Sequence, residues 1–302
     1  MRVDCEGAPR DLGFDQGRAM FEGVDAELAR ILRERPDGAS TAGVARDVAR
    51  HFPQLAERMT GLARGASVDP EALVVALARA SSEPAFLLRP ALAFAARAPR
   101  PLLAGRFDLS ADRCSVPIVR RSAPQGAAAS LELTLPWLAA CLGGVNGEGL
   151  AALLAPPGIA PPRSEIVRAD AACGAPAMLL VQQCLERFGR AESAAEWCLT
   201  RPAAGSATIL LADASGSVVA IAIDGDRRRL ADPPASPAPA DEAASLSALL
   251  AGGAGTGGEG AEPALAHRAV VWLDPAERAL AVALDPEGLA PARIERFVLP
   301  AG

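Results

Sequence analysis

The sequence predicts an α+β fold built in layers. Apolar residues in the first third of the chain recur at helical spacing, whereas the remainder breaks into short apolar runs separated by Pro and Gly. These runs lie on both sides of a second pair of helical segments, and no alternating βαβ series runs through the 302 residues. Half of the residues are apolar and 22% are charged, so the chain carries enough apolar material for a buried core.

The N-terminal part, residues 1–113, is expected to be mainly helical. Residues 2–5 predict a short strand, and residues 11–36 place most of their apolar side chains on one face of a helix about five turns long. Asp69 is the expected N-cap of a later helix, with Pro70 at its first position. Three helices are predicted after the first, at 41–52, 53–66 and 69–82.

The remainder, residues 114–302, is expected to form a sandwich of strands, so that 1–302 make a single domain. Two hairpins are predicted near its end, with turns at Asp213–Gly216 and Asp274–Pro275. Residues from about 231 to 265 are rich in Pro, Ala and Gly, which predicts a flexible insertion between the hairpins. Earlier strands are predicted at 114–119, 127–135, 138–143 and 147–155, and two helices at 173–189 and 192–200.

The charge pattern excludes several classes of partner. The net charge is −6, and all 30 basic residues are Arg because the chain contains no Lys. Nucleic acid and anionic membrane surfaces are therefore not expected partners. The start, MRVDCEGAPRD, is charged where a secretory signal is apolar, and no later run reaches the roughly 20 apolar residues of a membrane span. We expect a cytoplasmic protein, and the sequence does not indicate its oligomeric state.

Cysteine and histidine are too few and too scattered for a structural metal site. Six Cys and two His are present, without any Cys-x-x-Cys pair, so neither a metal nor a cofactor is expected. In a reducing compartment most such cysteines are small buried hydrophobic residues. Asn146, the only Asn in the chain, lies in the run GGVNGEG. It is a candidate for substrate binding, although Asn and Gly are also what a tight turn requires.

Five segments, taken in order, carry a resemblance that covers nearly the whole chain. They are EGAPRDLGFDQGRA at 6–19, HFPQLAERMTGLARGASVDPEAL at 51–73, GGVNGEGLAA at 143–152, the helical pair at 173–198, and the two hairpins. The chain resembles the acyl-CoA:6-aminopenicillanic acid acyltransferase family, also called peptidase family C45, among the N-terminal-nucleophile (Ntn) hydrolases.

This resemblance implies a four-layer αββα sandwich and a nucleophilic Cys, here Cys114, that is freed when the chain cleaves the bond before it. Ser115 follows it, as a Ser or Thr does in the family, and Glu132 is the only acid near the strand where the family carries an Asp. Ser115 and Glu132 are therefore the candidate catalytic helpers of Cys114. A thiol ordinarily has a pKa of about 8.5, and a newly freed α-amine serves as its base. The implied activity is that of an amidohydrolase or acyltransferase acting on a small amide or acyl thioester through a thioester at Cys114.

Three departures from the family pattern leave a second hypothesis open. Arg113 stands where the family usually has Gly, the Gly-Gln-Asn-x-Asp strand is replaced by QGAAASLELTLPW, and RRRLADPPASPAP lacks the family's oxyanion-donating Asn. Loss of one such donor typically lowers the rate by a factor of about 100 to 1,000. The alternative is therefore a catalytically silent relative that acts as a binding or assembly scaffold.

Overall fold

The computed structural model describes residues 1–33, 38–82, 89–96, 100–110, 117–168, 174–234, 265–285 and 293–300. Helices and strands are numbered separately in chain order. Within these ranges the helices are α1 (Pro9–Ala19), α2 (Phe21–Ile31), α3 (Gly38–His51), α4 (Pro53–Ala66), α5 (Pro70–Ser82), α6 (Met178–Arg187) and α7 (Ala191–Thr200).

Local chemistry accounts for where the N-terminal helices begin and end. Helix α5 starts at Pro70 as predicted, and the Asp69 carboxylate accepts a 2.9 Å hydrogen bond from the backbone N–H of Glu71. The single helix predicted over 11–36 is wrong, because the chain leaves helical geometry at Met20, with φ −122° and ψ 20°, and continues as α2. The break lets α1 and α2 pack in different directions.

Helices α1 and α4 touch backbone to backbone. A Cβ on Gly13 would lie 1.9 Å from the carbonyl oxygen of Arg58, and a Cβ on Gly61 would lie 1.9 Å from that of Arg10. Any side chain at these positions would collide with a helix backbone, so glycine is required for this approach. The contact brings polar side chains of α1 and α4 onto the same strands.

Most of the strands form one large sheet. It has nine strands in the order β1 (Arg2–Gly7), β4 (Ile118–Pro124), β5 (Ser130–Thr134), β6 (Gly143–Asn146), β7 (Leu150–Ala155), β9 (Ser206–Asp213), β10 (Val218–Asp224), β11 (Arg227–Ala231), β8 (Val167–Arg168). Strand β1 runs parallel to β4, and the other neighbours in this sheet are antiparallel.

The remaining strands form a second, antiparallel sheet that packs on the first. The order of this second sheet is β14 (Arg293–Val298), β13 (Ala279–Asp285), β12 (Leu265–Asp274), β3 (Leu102–Ser110), β2 (Arg89–Ala96). Strand β3 contacts β7 and β9 of the first sheet, and β13 contacts β5 and β6.

Helices cover the other face of the nine-stranded sheet. Helix α1 packs on β1 and β4, α6 on β6 and β7, and α7 on β9 to β11. The structure therefore confirms the predicted α+β fold, with a helix layer and two stacked sheets.

The element predictions differ from the structure at identifiable places. Both hairpins, β9–β10 and β12–β13, form as predicted. Strands β2 and β3 lie in the part expected to be helical, and residues 138–142 connect β5 to β6 rather than forming a strand. Residues 235–264, most of the predicted insertion, lie outside the described residues. None of the described helices combines the length and the apolar character needed to cross a bilayer.

Candidate functional site

Two of the residues predicted to perform the chemistry, Cys114 and Ser115, lie outside the described residues. The described chain ends on one side at Ser110, the last residue of β3 in the five-stranded sheet. It resumes just before Ile118, the first residue of β4 in the nine-stranded sheet. In the sequence, Cys114 therefore falls between the last residue of β3 and the first residue of β4.

The thiols that the structure describes are poorly suited to nucleophilic attack. Cys5, Cys141, Cys184 and Cys198 are all buried and unpaired by disulfides. Burial raises the pKa of Cys5 to about 11 and raises the pKa of Cys141 well above its ordinary value. Attack requires the thiolate, which is scarce at such sites near neutral pH. These residues behave as the small buried hydrophobic residues that the sequence predicts.

Glu132 is one half of a fully buried ion pair. It lies on β5 directly opposite Arg120 of β4, and the Arg120 Nε lies 2.6 Å from a Glu132 carboxylate oxygen. Both side chains have no exposed surface. The Ser122 and Ser130 hydroxyls and the Gln182 amide also donate to the Glu132 carboxylate, at 2.9, 2.6 and 2.7 Å. We call Gln16, Arg58, Arg120, Ser122, Ser130, Glu132, Gln182 and Glu186 the polar cluster.

Side chains from helices α1 and α6 complete the hydrogen bonding of the polar cluster. From α1, the Gln16 side chain accepts from Arg120 at 2.5 Å and donates to the backbone oxygens of residues 135, 136 and 138. From α6, the Gln182 side chain accepts from Arg120 at 2.9 Å. Helix side chains thus provide hydrogen-bond partners for both Arg120 and Glu132, as buried charged groups require.

The polar cluster holds Glu132 in its charged form. Burial by itself would raise the pKa of Glu132, but the Arg120 and Arg58 guanidinium groups and the hydrogen bonds from Ser130 and Gln182 outweigh it, and its pKa is about 2. A carboxylate with that pKa is a weak proton acceptor near neutral pH. In the described structure Glu132 acts as a counter-ion, and its catalytic role stays a prediction.

Glu186 lies at the edge of the polar cluster, and its pKa is raised where that of Glu132 is lowered. Its carboxylate lies 3.4 Å from Arg58, yet burial raises its pKa despite that cation. It lines a cavity of about 330 Å³ with Arg58 and Arg187, and a neighbouring cavity of about 730 Å³ with Arg121 and Glu148. Glu186 is the described carboxyl that joins the polar cluster to these openings, and it holds a proton to higher pH than an ordinary Glu.

Asn146 uses its whole side chain to bind its own chain. Its amide nitrogen donates to the backbone oxygens of Leu185 and Phe188, each at 2.8 Å, at the end of α6. Its side-chain oxygen accepts from the backbone N–H groups of Glu148 and Leu150, at 3.1 and 2.9 Å. These bonds hold the β6–β7 turn against α6, and substrate binding by Asn146 stays a prediction.

Sequence reasoning missed most of the polar cluster. Arg120, Arg58, Gln16 and Gln182 come from four separate segments, and none was a candidate. The sequence does contain one indication of the ion pair. Arg120 and Glu132 lie on two strands joined by a short turn, and opposite charges on neighbouring strands often pair directly across the hairpin. Within the described ranges, no group of three or more His, Cys, Asp or Glu side chains is placed to hold a metal ion.

Comparison with known proteins finds likeness at the level of structure only. No protein-family model matches the chain, and no curated protein matches it in sequence. The structure is similar to penicillin V acylase from Agrobacterium tumefaciens, with 13% identity, 68% of this chain and 86% of that chain covered, and a TM-score of 0.41. It is also similar to a mutant of conjugated bile acid hydrolase from Clostridium perfringens, with 8% identity, 69% and 97% covered, and a TM-score of 0.36. At these values, function must be argued from the chain's own residues.

Proposed function

We propose that this protein is a cysteine-dependent amidohydrolase or acyltransferase similar to the peptidase C45 family, with Cys114 as its nucleophile. The observation that supports the proposal is the set of five family-like segments, which occur in order along nearly the whole chain and assign the nucleophile to Cys114. In the sequence, Cys114 comes four residues before Ile118, the first residue of β4. The expected substrate is a small amide or an acyl thioester.

The described cysteines support this choice by elimination. Cys5, Cys141 and Cys184 are buried thiols with raised pKa values, and Cys198 is buried against Cys184. Because all four thiols are buried, none of them is open to a substrate as large as an amide or an acyl thioester. Of the remaining two, Cys114 is the one that the ordered family motifs single out.

Self-processing would create the working nucleophile. The Cys114 sulfur attacks the carbonyl carbon of Arg113, the Arg113–Cys114 C–N bond breaks, and the α-amine of Cys114 is released as a thioester forms. Water then hydrolyses this thioester to the Arg113 carboxylate and a free thiol. In turnover the α-amine accepts the thiol proton, the thiolate attacks the substrate carbonyl, and the departing group takes the proton. Water or an amine finally accepts the acyl group from Cys114.

Intact-mass spectrometry tests this proposal. We expect the wild-type chain to appear as fragments 1–113 and 114–302, and Cys114→Ala to remain a single chain of 30.9 kDa. Cys198→Ala, which removes a buried thiol, should be cleaved like the wild type. An uncut wild-type chain that also resists acylation by a reactive aryl thioester would overturn the proposal.

A scaffold function is the second candidate, and the polar cluster favours it. Glu132 and Asn146 are the two described residues predicted for the site, and their side-chain polar atoms are hydrogen-bonded to other groups of the same chain. A silent relative predicts an uncut, unacylated wild type whose thermal stability Cys114→Ala leaves unchanged. The same mass measurement therefore separates the two candidates.

A further inference from the structure

Helices α6 and α7 meet through a pair of buried thiols. Cys184 of α6 and Cys198 of α7 have no exposed surface, and their sulfur atoms lie 3.4 Å apart. The two helices are joined by only three residues, 188–190. The pair is thus held together by a short connection as well as by packing.

The two sulfur atoms are already in van der Waals contact. A sulfur–sulfur bond is about 2.0 Å long, so its formation requires them to approach by about 1.4 Å. Cys198 lies in the last turn of α7, two residues before its end at Thr200. The last turn of a helix is where the backbone yields most easily.

Access to the pair is restricted. Trp197, next to Cys198, packs against Phe188 with ring centroids 5.7 Å apart and the rings tilted by 53°. Arg187 and Arg201 lie over the Trp197 ring at 5.2 and 5.1 Å. The hydrogen bond to Cys198 and burial raise the pKa of the Cys184 thiol well above its ordinary value. A reaction at this pair is therefore slow and favours a small, uncharged oxidant.

We propose that Cys184 and Cys198 are a site of oxidative modification, at which a peroxide converts the two thiols into a disulfide that locks α6 to α7. One thiolate attacks a peroxide oxygen, the O–O bond breaks, and a sulfenic acid and hydroxide form, the latter taking a proton to become water. The second sulfur then attacks the first, the S–O bond breaks, and the oxygen leaves as a second water. Two thiols lose two protons and two electrons, and one hydrogen peroxide becomes two waters.

The bond would restrain the helix that covers the polar cluster. Helix α6 carries Gln182, which contacts both Arg120 and Glu132, and Glu186, which contacts Arg58. A covalent link to α7 fixes α6 over these residues. Oxidation therefore stiffens the helix layer without adding or removing a charge.

Peptide mapping tests the link in the folded, full-length chain. The protein is treated with hydrogen peroxide, alkylated in denaturant and digested with trypsin, which does not cleave the Arg201–Pro202 bond and therefore yields peptides 169–187 and 191–227 from this region. Because peptide 169–187 holds both Cys173 and Cys184, Cys173→Ala is the matched control. We expect a linked peptide pair in the wild type and in Cys173→Ala, and none in Cys184→Ala or Cys198→Ala.

Thermal denaturation provides a second measurement. The link closes a short loop in the unfolded chain, so we expect oxidised wild type to melt about 5 °C above the reduced form, with no such rise in Cys184→Ala. Absence of the linked pair from folded wild type, its survival in Cys184→Ala, or a lower melting temperature on oxidation would each overturn the proposal. The result is independent of Cys114, because the linked peptides do not contain it.

Discussion

At strand β5, both faces of the nine-stranded sheet are closed to water, but the two faces differ in chemistry. On β5, Ser130, Glu132 and Thr134 face the helix layer, whereas Leu131 and Leu133 alternate with them and face the five-stranded sheet, and all five are buried. The apolar face gains stability in proportion to the area it buries. The polar face is stable only if every charge and hydrogen-bonding atom finds a partner. The alternation of polar and apolar residues along β5 thus identifies two faces of the strand, but it does not show whether the polar face is exposed to solvent.

The largest expected effect comes from breaking the buried ion pair. Glu132→Gln keeps the shape of the side chain but leaves the Arg120 cation without its counter-ion, so we expect a loss of about 3–5 kcal/mol in the free energy of unfolding. Urea denaturation measures it. Glu6→Ala, which removes the exposed partner of Arg121, is the control and should cost less than about 1 kcal/mol. Equal effects of the two substitutions would show that the polar face is open to water.

Acid should weaken the polar face and leave the apolar face unchanged. The pKa of Glu132 is lowered from an ordinary 4.5 to about 2, so the stability it contributes is present above pH 4.5 and is lost as the pH falls towards 2. The contribution amounts to roughly 3 kcal/mol. Glu186 has a raised pKa, so its contribution to stability changes with pH in the opposite direction. The quantity to measure is therefore the difference in unfolding free energy between wild type and Glu132→Gln at each pH.

Leu133→Ala is the matched control for this pH series. It removes a fully buried side chain from the apolar face and should cost about 2–5 kcal/mol at every pH, because no titrating group is changed. A wild-type to Glu132→Gln difference that stays constant from pH 6 to pH 2 would contradict the assignment of the lowered pKa.

The helix layer over the polar face depends on glycine. Gly61→Ala places a Cβ against the carbonyl oxygen of Arg10 and must push α1 away from α4, so we expect a loss of about 1–3 kcal/mol and a lower melting temperature. Gly43→Ala is the control, since a Cβ there meets nothing within 4 Å. In the interior of α3 that change should stabilise by up to about 1 kcal/mol. A neutral Gly61→Ala would mean that the two helices are not in backbone contact.

The smallest expected loss of stability comes from substituting Asn146, which joins β6 to the end of α6. Asn146→Ala leaves the backbone oxygens of Leu185 and Phe188 without their side-chain donor and should cost about 1–2 kcal/mol in unfolding free energy. The change should appear equally with and without any substrate. A variant of unchanged stability that loses only activity would instead support substrate binding by Asn146.

Prediction from sequence succeeds where the signal is local. The Pro70 start of α5, its Asp69 cap and the β9–β10 turn at Asp213–Gly216 each depend on a few adjacent residues, and each is confirmed. It fails where packing between distant segments decides. The helix predicted through Met20 is broken, and strands β2 and β3 escape detection in Ala- and Leu-rich sequence that suits helix and strand alike.

The candidate site divides in the same way. Sequence alone singled out Cys114, Ser115, Glu132 and Asn146 as polar or reactive residues of unusual position. Only the tertiary structure showed that Glu132 faces Arg120 under two helices, and that Asn146 joins the β6–β7 turn to α6. The physical reason is that a carboxylate's protonation and reach depend on partners such as Gln182, which lies 50 positions away from Glu132 in the chain. Sequence determines which groups can react, and their surroundings in the fold decide which of them are free to do so.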